Sequence, residues 1–111
     1  MAPRSEPQWI STFLDAQAAE NGAARNTQLA YGRDLKDFMA WLARKGATFA
    51  TAHRETVEDY LLSCESEGLS KATRARRLTA IRQLYRFAHD EGWRADNPAL
   101  RITGPGATTA S

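Results

Sequence analysis

The chain has 111 residues, of which 42% are hydrophobic, and a formal net charge of +2. This length suits one domain with a packed core.

A single cysteine, Cys64, excludes an internal disulfide and is expected to be a small buried side chain. Two isolated histidines predict no metal site, and no cofactor is expected. No apolar run approaches the roughly 20 residues of a membrane span, and the N-terminus lacks a signal core. The expected location is therefore the cytoplasm.

Hydrophobic periodicity predicts four amphipathic helices and no strand, and therefore an all-α bundle of two helical hairpins with a possible short turn at residues 99–100. The predicted helices begin, in chain order, at Gln8, at Asn26 or Thr27 as N-cap, at Thr51 or His53, and after the cap residue Ser70. Glycines are expected to end them at Gly22, Gly46, Gly68 and Gly92. Trp93 is expected to fold back onto the core. The predicted organisation is a flexible lead-in (1–7), a helical domain (8–102), and a linker or appended tail (103–111).

Basic charge is segregated onto the second and fourth predicted helices. Residues 25–45 carry five bases and two acids, whereas residues 46–69 carry one base and five acids. Residues 70–88 carry six bases and no acid. A soluble helix usually interleaves acids, so this pattern predicts an external anion as the neighbour. The alternative is a solvated cationic helix, with an arginine excess that reflects coding bias.

Helical geometry predicts which face of the fourth helix meets that anion. The core stripe is predicted to centre on Ile81 and Tyr85, which places Arg76, Ala80 and Thr73 on the outer face. Hydroxyls and free N–H groups at helix starts suit phosphate oxygens. The candidate DNA-binding residues are Arg25, Asn26, Thr27, Arg33, Lys36, Ser70, Lys71, Thr73, Arg74, Arg76, Arg77 and Arg82. The prediction requires that these cations share one face and are not turned toward carboxylates of the same chain.

Two motifs carry a family resemblance. They read Asn26-Thr27-x-x-x-Tyr31-x-x-Asp34-Leu35-x-x-Phe38 and Leu69-Ser70-x-x-Thr73-x-x-Arg76-Arg77-Leu78-Thr79-Ala80-Ile81-Arg82-x-Leu84-Tyr85, the second followed by Gly92 and Asn97-Pro98-Ala99. Over about residues 7–102, the chain resembles the N-terminal domain of Xer-type tyrosine recombinases, also called phage integrases.

The resemblance implies a SAM-like bundle whose second and fourth helices lie against DNA, as one half of a C-shaped clamp. It implies DNA-facing roles for Asn26, Thr27, Ser70, Thr73, Arg76 and Arg82. It implies structural roles for Tyr31, Asp34, Leu78 and Ile81, with Asp34 paired to a neighbouring arginine. The implied partners are the phosphate backbone of double-stranded DNA, the catalytic domain of the same full-length protein and, only for that protein, other protomers on DNA. No membrane partner is expected, and the expected location is the cytoplasm, in association with the nucleoid.

The predicted function is the DNA-binding, core-binding domain of a site-specific recombinase. The chain itself is predicted not to be an enzyme, because the resemblance places the catalytic residues in another domain and no His-x-x-Arg occurs here. A SAM-like protein-interaction module is the alternative; it needs an exposed apolar patch, for which Leu29 and Phe87 are the candidates. A free-standing enzyme is the least favoured class. Chromosome dimer resolution, phage integration and integron-type recombination all remain open as natural roles.

Overall fold

A computed structural model describes residues 5–22, 24–100 and 102. It contains four helices: α1 (Glu6–Asn21), α2 (Arg25–Arg44), α3 (Arg54–Ser66) and α4 (Lys71–Asp90). None of the residues in these ranges lies in a strand. Helix α1 packs against α2 and α3 against α4, and α4 also contacts α1 and α2. The predicted all-α bundle of four main helices is confirmed.

The start of α1 differs from the prediction because a local cap extends it. The Ser5 hydroxyl accepts a hydrogen bond from the Gln8 backbone N–H, and the Gln8 side chain accepts one from the Ser5 N–H at 3.0 Å. This reciprocal capping box satisfies two N–H groups that a helix start leaves unpaired. The helix therefore begins at Glu6, and the predicted lead-in is wrong for Glu6 and Pro7. Residues 1–4 and 103–111 lie outside the described residues.

The start of α2 also differs from the prediction. Ala24 is its N-cap and provides no side-chain hydrogen bond, so Asn26 and Thr27 lie in the first turn rather than at the cap. The Gln28 side chain donates to the Leu14 carbonyl of α1 at 3.3 Å. This contact ties the first turns of α2 to α1 but accepts none of the free N–H groups at the helix start.

The other predicted boundaries hold. The Ser70 hydroxyl accepts from the Thr73 N–H at 3.1 Å and caps α4, and His53 precedes α3. The four glycines after the helices all have positive φ, from 59° at Gly22 to 82° at Gly68. Residues with a side chain rarely adopt this conformation, which explains why glycine marks the helix ends.

The core is a continuous set of aromatic contacts that draws on every helix. Trp9 lies at its centre, with ring centroids 5.7 Å from Phe49, 6.4 Å from Tyr85 and 5.2 Å from Trp93. The predicted return of Trp93 to the core is confirmed. Phe87, a candidate for an exposed apolar patch, is instead partly buried, with its ring centroid 5.2 Å from that of Trp93. The lone Cys64 is buried, as predicted.

The connection between α2 and α3 is tied to three other parts of the bundle through Phe49. Its carbonyl accepts hydrogen bonds from the Tyr85 hydroxyl at 2.9 Å and from Arg94 Nη1 at 2.8 Å. Its N–H donates to the Glu6 carboxylate at 3.1 Å. These contacts join α1, α4 and the segment after α4 around one short loop.

The segment after α4 packs on the bundle. The Ala99 N–H donates to the Asn97 side chain at 3.0 Å and starts the predicted short turn. Ala99 is fully buried and Ile102 is 4% exposed. Among the described helices, none combines the length and the apolar character needed to cross a bilayer.

Replacing Tyr85 with Phe tests the Phe49 contact. The Tyr85 hydroxyl donates to the Phe49 carbonyl within the core, and Tyr85→Phe removes this hydrogen bond. Because Arg94 still donates to the same carbonyl, the free energy of unfolding is expected to fall by only about 1 kcal/mol. Urea denaturation provides the measurement. Tyr31→Phe is the matched control, because the described residues offer the Tyr31 hydroxyl no hydrogen-bond partner, and it should change stability by less than about 0.5 kcal/mol. Equal losses in the two variants would contradict the role of the contact.

Candidate nucleic-acid interface

The exposed face of α4 is rotated from its predicted position. Ala80, Leu84 and Ala88 are fully buried together with Ile81. Since each residue turns a helix by 100°, the six buried positions of α4 centre roughly 30° away from the midpoint of Ile81 and Tyr85. The placement of Ala80 on the outer face is therefore wrong. Thr79 lies near the middle of the exposed face, which also carries Lys71, Ala72, Arg76, Arg82 and Arg86, so Arg76 is exposed where the periodicity placed it.

Arg76 is paired with a carboxylate of the neighbouring helix. Its Nε donates to Asp34 Oδ2 at 2.8 Å and its Nη2 donates to Asp34 Oδ1 at 3.1 Å. Asp34 is 1% exposed and lies on α2. The hydrogen bond to Asp34 raises the pKa of Arg76, which stays protonated. The structural role implied for Asp34, and its pairing with an arginine, agree with this geometry.

Arg77 is also held inside the protein. Its Nη1 donates to Asp37 Oδ2 at 2.7 Å and to the Tyr60 hydroxyl at 3.0 Å. The Tyr60 hydroxyl donates to the same Asp37 oxygen at 2.7 Å, so α2, α3 and α4 meet in one polar cluster. The Arg77 Nε–H lies 3.7 Å from Asp34 Oδ1 and makes no hydrogen bond. The side chain is 17% exposed, which leaves little of it for an external anion.

Arg74 is the third paired base of α4. Its Nε donates to the Leu69 carbonyl at 3.2 Å, and its Nη1 lies 3.7 Å from the Glu65 carboxylate. The requirement that the predicted DNA-binding cations avoid carboxylates of the same chain therefore fails for Arg74, Arg76 and Arg77. The shared reason is that acids on α2 and α3 face the inner edges of α4.

The remaining predicted cations are exposed and unpaired. Within the described part of the chain, no carboxylate lies within ion-pair distance of Arg25, Arg33, Lys36, Lys71 or Arg82. These side chains lie on α2 and α4, the two helices that the Asp34–Arg76 ion pair joins.

The predicted polar residues lie at the starts of the same helices. Asn26 and Thr27 are exposed in the first turn of α2. Ser70 and Thr73 bind each other, with a 2.9 Å hydrogen bond between their hydroxyls, and they cap α4. Both hydroxyl groups thus take part in the hydrogen bonds at the helix start; Ser70 is exposed and Thr73 is partly buried.

Arg86 is a candidate that the sequence reasoning did not select. It is exposed and unpaired among the described residues, one helical turn beyond Arg82. Both arginines border an open depression lined by Thr79, Arg82, Gln83, Arg86, Asn97 and Leu100. The spacing of Thr79, Arg82 and Arg86 at i, i+3 and i+7 would have indicated this face if the buried stripe had been centred correctly.

No group of three or more potential metal ligands occurs in the part of the chain that the structure describes. Burial raises the pKa of the Cys64 thiol and favours its neutral form, which is neither the nucleophile nor the metal ligand.

Residues 10–92 match the N-terminal SAM-like domain of phage integrases. The chain belongs to this family. Its relatives include the tyrosine recombinase XerD of Caulobacter vibrioides, which is 48% identical over 99 residues, or 89% of this chain and 32% of that protein. XerD of Bradyrhizobium diazoefficiens is 45% identical over 104 residues, or 94% of this chain and 33% of that protein. This integrase domain thus spans about a third of the length of the curated relatives that it matches.

Alkaline pH should weaken the polar cluster of the integrase domain. Burial, followed by the hydrogen bond to Asp37, raises the pKa of Tyr60 well above its ordinary value of about 10. The folded chain therefore keeps the phenol proton at a pH where the unfolded chain loses it. This contribution to stability is complete below pH 10 and is lost as the pH rises, by about 1.4 kcal/mol per pH unit.

The measurement is the free energy of unfolding between pH 9 and pH 11.5. The free energy of unfolding of Tyr60→Phe should decline less steeply with pH than that of the wild type. The difference in slope should be about that of one proton, roughly 1.4 kcal/mol per pH unit. Phe38→Leu, a core change without an ionisable group, should lower stability while keeping the wild-type slope. Equal slopes for Tyr60→Phe and the wild type would exclude the proposed proton retention.

Proposed function

We propose that this domain binds the phosphate backbone of double-stranded DNA through α2 and α4, as the DNA-clamping part of a site-specific tyrosine recombinase. The observation that carries the proposal is the distribution of unpaired cations. Among the described residues, every Lys or Arg without a carboxylate partner lies on α2, on its C-cap or on α4. They are Arg25, Arg33, Lys36, Arg44, Lys45, Lys71, Arg82 and Arg86.

The cations elsewhere support the contrast. Arg54 on α3 pairs with Glu58 at 3.6 Å, and Arg94 after α4 pairs with Asp96 at 2.7 Å. The unpaired cations repel one another, and an external polyanion would lower the free energy of that repulsion. Duplex DNA supplies a dense row of phosphates, and neutralising them releases counterions. The charge distribution therefore favours a nucleic acid over a small anion.

Recombination chemistry lies outside these helices. The relatives carry the name tyrosine recombinase, and this chain matches only about a third of each. The strand-cleaving groups belong to the remaining two thirds of such a protein, in a catalytic domain that closes the clamp. Assembly of several protomers on DNA is a property of the full-length protein, which acts in the cytoplasm on the nucleoid.

The alternative of a protein-interaction module gains little from the surface. The exposed large hydrophobic residues among those described are Leu29, Leu62 and Leu100, between 58% and 62% exposed. They lie on α2, on α3 and after α4, so no single element presents two of them. Single exposed apolar residues are ordinary on soluble proteins.

The salt dependence of duplex binding tests the proposal. If about six phosphates are neutralised, the log–log slope of affinity against salt is roughly −5. Replacing Arg82 and Arg86 together with Gln should weaken binding and reduce the slope by about 2. Fluorescence anisotropy with a labelled duplex gives both quantities. Arg54→Gln is the matched control on α3 and should leave the slope unchanged.

Two outcomes would contradict the proposal. One is the absence of duplex binding at low salt by a folded wild-type chain. The other is equal slopes for the wild type and the double variant. Arg76→Glu is unsuitable for this purpose, because it would place a second carboxylate against the buried Asp34 and threaten the fold.

A further inference from the structure

Arg76 differs from the other paired bases of α4 in its exposure. Its side chain is 45% exposed, against 19% for Arg74 and 17% for Arg77. The carboxylate that holds it, on Asp34, is almost fully buried. One side of the guanidinium therefore faces the protein interior and the other faces solvent.

The hydrogen bonds define which donors remain available. A guanidinium has five N–H donors in one plane. Asp34 takes two of them, one from Nε and one from Nη2, in a side-on fork. The other three, two on Nη1 and one on Nη2, have no acceptor among the described residues. Because the group is rigid and planar, one Nη1–H and the remaining Nη2–H are parallel along its outer edge, while the second Nη1–H points away from them toward the side-chain stem.

We propose that Asp34 is a positioning residue for DNA binding, which orients Arg76 so that its outer edge donates to one phosphate. The inference rests on the proposed duplex binding by α2 and α4 and adds a specific contact to it. A phosphate can accept two parallel N–H bonds from this edge, the geometry that favours arginine at phosphate sites.

Asp34 is well placed for such a role because it cannot turn away. Its second oxygen lies 3.7 Å from Arg77 Nε, so two guanidinium groups hold the carboxylate. An arginine that is already ordered loses less rotamer entropy on binding than a free one. The unpaired cations of α2 and α4 lack this preorganisation, so Arg76 is expected to make the most directional contact.

The positioning role of Asp34 and simple charge attraction predict opposite changes in DNA affinity when Asp34 is replaced with Asn. Asp34→Asn removes a negative charge near the DNA, and simple Coulomb attraction then predicts tighter binding. Loss of the fork instead frees the Arg76 guanidinium and predicts weaker binding. Asp37→Asn is the matched control, since it removes the same charge one helical turn away and leaves the Arg76 fork intact.

The experiment uses the 111-residue chain and a labelled duplex in fluorescence anisotropy, with circular dichroism to verify folding. Asp34→Asn should bind about tenfold more weakly than the wild type, whereas Asp37→Asn should bind as tightly or more tightly. Duplexes with single methylphosphonates then locate the contact. One neutralised phosphate should weaken binding of the wild type and of Asp37→Asn, but should have no further effect on Arg76→Gln or Asp34→Asn.

Arg76→Lys keeps the result decisive if Asp34→Asn fails to fold. Lysine retains the charge and one bond to Asp34 but lacks the fork, so it should bind more weakly and lose the sensitivity to that phosphate. If both Asp34→Asn and Arg76→Lys bind like the wild type while the Arg82/Arg86 variant is weakened, only the positioning role is overturned. If the wild type binds no duplex, the proposed function fails and this inference fails with it.

Discussion

The structure depends on the burial of one carboxylate. Asp34 is 1% exposed, and a buried ion costs several kcal/mol unless a partner is brought to it. The partners are Arg76 and Arg77, 42 and 43 residues later in the chain, so α4 must lie against α2 at this level. Removing a partner would leave an uncompensated charge, at a cost of roughly 3–5 kcal/mol in a dry interior and less where Arg76 faces water. Apolar packing makes the bundle compact, but this ion cluster selects how the two basic helices meet.

The same constraint divides the bases of α4 into two groups. Neighbouring residues on a helix point 100° apart, so Arg76 and Arg77 make their hydrogen bonds to different carboxylates, although both lie near Asp34. Lys71, Arg82 and Arg86 lie on the solvent side and have no such partner among the described residues. The six bases of residues 70–88 therefore overstate the charge that is available to an external anion. What remains is a smaller set of cations at defined positions.

Local signals in the sequence predicted most of the fold, and some of the misses have tertiary causes. A glycine with positive φ follows each helix, a conformation that depends only on residues close in the sequence. The cap of α4 is equally local, because the Ser70 hydroxyl accepts a hydrogen bond from the Thr73 N–H. Ala80 was misplaced because alanine suits a buried and an exposed position equally, and this error hid Arg86. The α2 start was misplaced because its N-cap, Ala24, has no side-chain group that could mark it in the sequence. The partners of Arg74 and Arg77 come from other helices, which periodicity within one segment cannot reveal.

Pairing some of the bases also allows the domain to fold before it meets an anion. Six cations between Lys71 and Arg86 of α4, with no acid among them, repel one another at close spacing, and this repulsion destabilises the folded state. Asp34, Asp37 and Glu65 pair with three of these bases, and two of the three, Arg74 and Arg77, are largely buried, where desolvation would make repulsion strongest. The bases left unpaired lie where water screens them. Carboxylates beside the proposed phosphate-binding surface would lower its attraction for DNA, but the same carboxylates hold α4 against α2 and α3, and in the proposed positioning role Asp34 also orients Arg76.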